Sequence, residues 1–352
     1  MKILTLYNHK GGVSKTTTTF NIVHLLQEQG FKVLVVDADP QCNITELLIG
    51  DLISELDIEI QKTGKDNDLP GTTLLDILTP RISGERPEVS TNIDVIKVKE
   101  NLDLIRGNVQ LSNIEDALAE AHIQRFSTKI HEKRTYIAIS DFLRRFGSEK
   151  QYDYIFIDVG PSSGALTRNC FLACDAFFIP VAPDRFNIQA IKTLSTIIER
   201  WISDHDKIID DFQALGLNIN VGKPIFLGAI PQHYKLLKGK PKPGYKLWME
   251  RLPKTVNDFL LPQLRKFSTP QLDLTNGLSI ERICTESIPD FQSLASLMQE
   301  YCVPVFRIQQ DMTAAISETS KWGGATWKDA QRRMDDYKEK FSSIVERIKK
   351  LS

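Results

Sequence analysis

His9-Lys10-Gly11-Gly12-Val13-Ser14-Lys15-Thr16-Thr17 stands between an apolar run, Ile3 to Tyr7, and a helix-periodic stretch from Thr18 to about Gln29. A strand, a glycine pair and a helix start in that order make a phosphate-binding loop. Adjacent glycines let the backbone close around phosphate oxygens, successive N–H groups point inward, and the helix N-terminus adds partial positive charge. Lys15 can then sit between the β- and γ-phosphates, and the Thr16 hydroxyl can complete a Mg2+ shell. The residues expected to hold the nucleotide are Gly11, Gly12, Val13, Ser14, Lys15, Thr16 and Thr17. The general loop pattern has its first glycine earlier: here Gly11 falls one position late, Lys10 precedes it, and Ser14 replaces the glycine before the lysine.

With these departures the loop resembles that of the deviant P-loop ATPases of the ParA, Soj and MinD group, whose pattern is Lys-Gly-Gly-x-x-Lys-Thr-Thr. Without the rest of the motif Lys10 would read as a solvated surface charge. The resemblance implies ATP and Mg2+ as cofactors. It also implies a homodimer formed with ATP, in which Lys10 reaches across to the partner's nucleotide.

Lys32 to Val36 is a continuous apolar strand of the kind buried on both faces of a parallel sheet, and it ends in Asp37-Ala38-Asp39-Pro40-Gln41-Cys42-Asn43. Two carboxylates at a strand's carboxyl end, beside a phosphate loop, suit Mg2+ and water handling, although an Asx turn with a proline would look similar. The segment resembles the family pattern Asp-x-Asp-Pro-Gln-x-Asn. That resemblance implies that Asp39 orients or activates the attacking water, that Asp37 supports the metal side, and that Gln41 and Asn43 sense the γ-phosphate.

A third apolar strand, Tyr152 to Ile157, ends in Asp158-Val159-Gly160-Pro161, so Asp158 is expected to hold Mg2+ through a water, as a Walker B residue does. The family has Asp-x-Pro-Pro here. Gly160 in place of the first proline is expected to loosen the switch between nucleotide state and shape. Further resemblance lies in the strand Ala176 to Val181, the loop Pro180 to Phe186, a helix at about 188–201, and the segment Leu104 to Leu111. Phe226 to Gln232 resembles the strand and loop that flank the base, which adds Pro231 to the nucleotide contacts.

These patterns imply an α/β P-loop NTPase fold: a mostly parallel sheet with helices on both faces, carrying helical and loop insertions. The 352 residues read as a single elaborated ATPase domain. The family core is shorter, so residues 54–101 and 114–150 are expected as insertions or expanded segments. Residues 234–297 read as a basic loop and helical extension, and 302–352 as a C-terminal helical region.

The net charge of −1 excludes a polybasic nucleic-acid binder as a whole, but one segment is locally basic. Lys235, Lys238, Lys240, Lys242, Lys246, Arg251 and Lys254 face only Glu250, with Tyr234, Tyr245 and Trp248 interleaved. Gly239, Pro241, Pro243 and Gly244 suggest a flexible loop that could follow non-specific double-stranded DNA through phosphate contacts; a solvated excursion is the alternative. At the C-terminus, Tyr337, Phe341, Ile344, Val345, Ile348 and Leu351 make a helical stripe flanked by lysines. It reads as a helix docked on the sheet, or as a membrane-targeting helix like that of MinD relatives.

Five cysteines form neither a disulfide framework nor a zinc site; Cys170 and Cys174, one helical turn apart, read as buried thiols. No apolar run is long enough to span a bilayer and no leader is evident, so the expected location is cytoplasmic and nucleoid-associated. The expected activity is slow, partner-stimulated ATP hydrolysis by in-line water attack. Two roles are open. One is a partitioning switch on DNA with a centromere-binding or adaptor partner. The other is a nucleotide-controlled scaffold or regulator in a mobile-element or defence system.

Overall fold

A computed structural model describes residues 1–64, 68–316 and 321–351. Residues 65–67, 317–320 and 352, which fall within the expected insertion and C-terminal region, lie outside the described residues. The sheet strands are β1 (Lys2–Leu6), β2 (Val33–Ala38), β3 (Ile96–Lys99), β4 (Leu102–Ile105), β5 (Tyr154–Val159), β6 (Ala176–Val181) and β7 (Ile225–Pro231). They lie in the order β3-β4-β2-β5-β1-β6-β7. Every pairing is parallel except β3 with β4. β1, β2, β5, β6 and β7 are almost wholly buried, as strands covered on both faces must be. A separate hairpin, β8 (Leu236–Leu237) with β9 (Lys240–Pro241), stands off the sheet.

The helices are α1 (Lys15–Glu28), α2 (Asn43–Thr63), α3 (Leu74–Ile82), α4 (Glu115–Ile123), α5 (Ile130–Glu149), α6 (Ala165–Ala173), α7 (Arg185–Asp206), α8 (Ile209–Ala214), α9 (Pro243–Thr255), α10 (Leu261–Arg265), α11 (Ser293–Glu300) and α12 (Gly324–Lys349). Side chains alternate across each strand, and each set meets its own helices. Ile3, Leu34, Val36, Ile155 and Ile157 join a core with α3, α5, α6, α7 and α9. Leu4, Leu6, Val33, Val35 and Phe156 join a second core with α1, α2, α11 and α12.

One local expectation changes, and the C-terminal stripe takes the first of its two expected readings, a docked helix. Residues 243–255 are helical rather than a flexible loop: Pro243 sits at the start of α9, where its fixed φ and missing N–H favour a helix. Leu252 and the following Val256 anchor the segment in the core. The C-terminal stripe is not a lipid-facing surface. Tyr337, Phe341, Ile344, Val345 and Ile348 are all buried against the second core, beside α1. Among the described residues no helix is long and apolar enough to cross a membrane.

Candidate functional site

The parallel order places the carboxyl ends of β1, β2 and β5 side by side, and the loops that leave them converge at one edge of the sheet. This is where open α/β sheets bind ligands. β1 runs into the glycine loop, whose shape depends on two left-handed residues, Gly12 at φ 69° and Ser14 at φ 57°. Only glycine takes that conformation without a side-chain penalty, so Ser14 carries local strain of about 1–2 kcal/mol. Ser14 is also the N-cap of α1, so the loop delivers the helix N-terminus into the site.

Asn8 braces the loop from below. Its amide donates to Pro180 O at 2.8 Å, and its Oδ1 accepts from Lys10 N at 3.0 Å. Lys15 Nζ donates to Asn8 O at 3.1 Å and Lys10 O at 3.3 Å, so the ammonium is curled into the loop rather than extended into water. Burial lowers the Lys15 pKa, and the carboxylates of Asp158 and Asp39 work against that shift. Lys10 is exposed at the outside of the loop.

Thr16, on the first turn of α1, donates from Oγ1 to Asp158 Oδ2 at 2.8 Å. Asp158 is buried, and its Oδ1 has no partner among the described residues. Burial, with Asp37 and Asp39 nearby, pushes its pKa up to about 8. An orphaned carboxylate oxygen beside a threonine hydroxyl, at the base of an anion-binding loop, fits a divalent cation: the cation's charge would offset what raises that pKa. Among the described residues no three His, Cys, Asp or Glu side chains gather as a metal cage. Thr16 and, through water, Asp158 fit Mg2+, which keeps waters and takes phosphate oxygens rather than an all-protein shell.

Asp39 and Asp37 diverge. Asp39 lines the cleft, its Oδ1 accepting from Gln41 N at 3.0 Å. Asp37 turns beneath, taking the Thr45 hydroxyl at 2.6 Å and the amides of Thr45 and Asp39. Burial pushes its pKa up to about 6 despite those bonds. In this geometry Asp37 is a brace for the loop after β2, with Thr45 Oγ1 relaying to Gly107 N at 2.8 Å.

The cleft has a volume of about 720 Å3. Gly11 to Thr17 form its floor, Asp39, Gln41, Asn43 and Glu46 one wall, and Pro161, His233 and Gln299 the others. Pro231 does not line it; buried at the end of β7, its carbonyl accepts from Ile288 N at 2.8 Å. Its neighbours matter instead. Gln232 accepts from Thr18 Oγ1 at 2.7 Å and donates to Val13 O, tying β7 to the phosphate loop. Beside the cleft lies a smaller chamber of about 190 Å3 that shares Ser14, Thr17, His233 and Gln299 with it and adds Asp290, Phe291 and Met298. Sequence reasoning put Gln232 in the segment flanking the base without giving it a role, and missed His233 and Gln299. The pair beside Pro231 was within reach, but Gln299 on α11 arrives through a long-range turn that no local pattern marks.

Of the basic residues, Lys235, Lys238, Lys240, Lys242, Lys246, Arg251 and Lys254 are all exposed, on the β8–β9 hairpin and α9, and none lines the cleft. Lys246 pairs loosely with Glu250 at 3.8 Å. Cys170 and Cys174 are buried free thiols, held protonated by burial.

A family model described as an AAA domain matches residues 1–210. The sporulation initiation inhibitor protein Soj of Bacillus subtilis is 32% identical over 206 residues, which cover 58% of this chain and 67% of Soj. The chromosome partitioning protein ParA of Caulobacter vibrioides is 33% identical over 202 residues, 57% of this chain and 63% of that protein. An uncharacterised protein of Methanocaldococcus jannaschii is 30% identical over 199 residues, covering 66% of its own length. The chain thus spans about two-thirds of the length of these relatives. Among solved structures, a protein of Corynebacterium diphtheriae superposes with a TM-score of 0.65 at 23% identity, over 87% of this chain and 98% of the other. Apo McdA of Cyanothece superposes with a TM-score of 0.58 at 19% identity, over 99% of each chain. These two show a shared fold. On the sequence match and the phosphate loop together, the chain belongs to the ParA/Soj/MinD-type family of deviant P-loop ATPases.

Proposed function

We infer that the chain binds ATP with Mg2+, dimerises in that state, hydrolyses ATP slowly, and serves as a partitioning switch on non-specific double-stranded DNA with a centromere-binding or adaptor partner. The observation that carries this reading is the convergence of Lys15, Thr16, Asp158 and Asp39 at one cleft edge. In it the loop amides and Lys15 hold the phosphates and offset the charge that builds on the γ-phosphoryl oxygens. Mg2+, bound by Thr16 and indirectly by Asp158, would supply further charge neutralisation. Asp39 accepts a proton or hydrogen bond from the attacking water, and the cleft holds the two in line. The smaller chamber with Asp290 and Phe291 suits the base.

The exposure of Lys10 outside its own loop supports its reach to a second copy. The relatives' printed names, a chromosome partitioning protein among them, support the partitioning role. The exposed lysines of the hairpin and of α9 supply the DNA-facing charge. The test is binding to a non-specific duplex with no nucleotide, ADP, ATP and a poorly hydrolysed ATP analogue. Binding confined to the ATP and analogue states supports the switch. Dimers that ignore DNA in every state would move the reading to a nucleotide-controlled scaffold.

A further inference from the structure

A second cleft, of about 600 Å3, lies between α7 and the helical segment that begins with α9. It shares no lining residue with the nucleotide cleft. Arg185, Ile188, Gln189 and Lys192 form one wall and recur at helical spacing on α7. Trp248, Arg251, Thr255 and Phe259 form the other. Two of the three cations lie across an aromatic ring of the wall: Arg251 is 5.0 Å from the Trp248 ring centre, and Lys192 is 5.4 Å from that of Phe259. Among the described residues no carboxylate lines the groove, and Arg185, Lys192 and Arg251 are all exposed. Phe186, next to Arg185, is 72% exposed, and Phe259 is 38% exposed.

We propose that this groove docks an acidic amphipathic helix of a partner protein, its apolar side chains between Trp248 and Phe259 and its carboxylates on Arg185, Lys192 and Arg251. Charge complementarity selects the occupant. Three cations with no ion pair among the described residues, around an apolar floor, call for negative charge flanking apolar side chains, the composition of an acidic helix laid into a groove. Duplex DNA would satisfy the cations alone. Its bases are stacked inside, so Trp248 and Phe259 would face only sugar and phosphate in a concave slot. The inference does not rest on nucleotide binding.

The test uses the full chain and a labelled synthetic peptide of about 18 residues, five helical turns, with leucines on one face and glutamates elsewhere. A charge-reversed version with lysines and a duplex DNA of matched label serve as the other arms. Saturable binding of the glutamate peptide alone is expected. It should weaken about 10-fold or more in Lys192→Glu and in Trp248→Ala, with the melting temperature of Lys192→Glu unchanged. Equal binding of both peptides, no saturable binding, or insensitivity to both substitutions would overturn the proposal. So would duplex DNA that competes the peptide away and loses affinity in Trp248→Ala, which would give the groove to nucleic acid.

Discussion

Gly160 lies against the carboxylate of Asp39: a Cβ at position 160 would stand 3.0 Å from Asp39 Oδ1 and 3.2 Å from its Cγ. Gly160 is buried and not left-handed, so what the position requires is space rather than a special φ. The expectation drawn from the sequence was a looser switch. The contact adds that glycine lets the loop after β5 close on Asp39. Gly160→Ala should therefore displace the carboxylate by a few tenths of an ångström and slow turnover about 10-fold or more, while ATP affinity stays within about 3-fold. Steady-state ATPase rates beside titrated ATP affinity separate the two, and unchanged turnover would remove this contact from the mechanism.

Lys15→Ala removes the side-chain cation curled into the loop and should weaken ATP binding by about 100-fold or more. Asp158→Asn should act differently. It should reduce the gain in ATP affinity that Mg2+ brings, with nucleotide affinity in chelator nearly unchanged, as read by calorimetry with and without Mg2+.

His24, on α1, is buried with Nε2 unpartnered among the described residues, and burial lowers its pKa to about 3. The unfolded chain takes up that proton near the ordinary value of about 6.5. Between those values the unfolded state binds more protons, so this residue's contribution falls as pH falls, by about 2 kcal/mol at pH 5. Asp37 and Asp158, whose folded pKa values are raised, pull the opposite way, so the measurement is the difference between variants. Denaturant melts of wild type and His24→Leu at pH 8 and pH 5 should show the variant gaining on wild type at the lower pH. Parallel pH profiles would contradict the assignment.

The buried face of α12 predicts a stability phenotype rather than a membrane phenotype. Phe341 is fully buried, and Phe341→Ala should cost about 3–5 kcal/mol in urea unfolding. The intact protein should stay with the buffer when mixed with anionic vesicles. Vesicle binding lost on deletion of the last turn would show that α12 leaves its seat.

If the hairpin and α9 meet DNA phosphates, glutamine at Lys238, Lys240 and Lys242 should weaken duplex binding and flatten its salt dependence, lowering the logarithmic slope by about 2 to 3. Affinity and slope matching wild type would place the DNA surface elsewhere.

The core of the fold was legible because phosphate chemistry fixes residue types at fixed spacing. Gly11 to Thr17, Asp39 and Asp158 follow apolar strands, and the loops that leave those strands meet at one sheet edge. The partners of those residues were not legible. Asp37 reads as a metal-side carboxylate until Thr45 is seen holding it, and Gln232 ties to Val13 across 219 positions. Pro243 and Gly244 read as loop until Leu252 and Val256 are seen buried, because local punctuation is weaker than tertiary packing. In the same way the α12 stripe has an amphipathic pattern that suits a lipid surface or a protein core, and only the facing α1 decides between them.

ATP held by this loop should drive dimerisation through Lys10. Sedimentation velocity with Mg2+ and a poorly hydrolysed ATP analogue, against ADP, tests it most directly in wild type and in Lys10→Ala. The account predicts twice the monomer mass only for wild type with the analogue, and a monomer for Lys10→Ala that still binds nucleotide. A dimer of Lys10→Ala with the analogue, or a wild type that stays monomeric in every state, would contradict it.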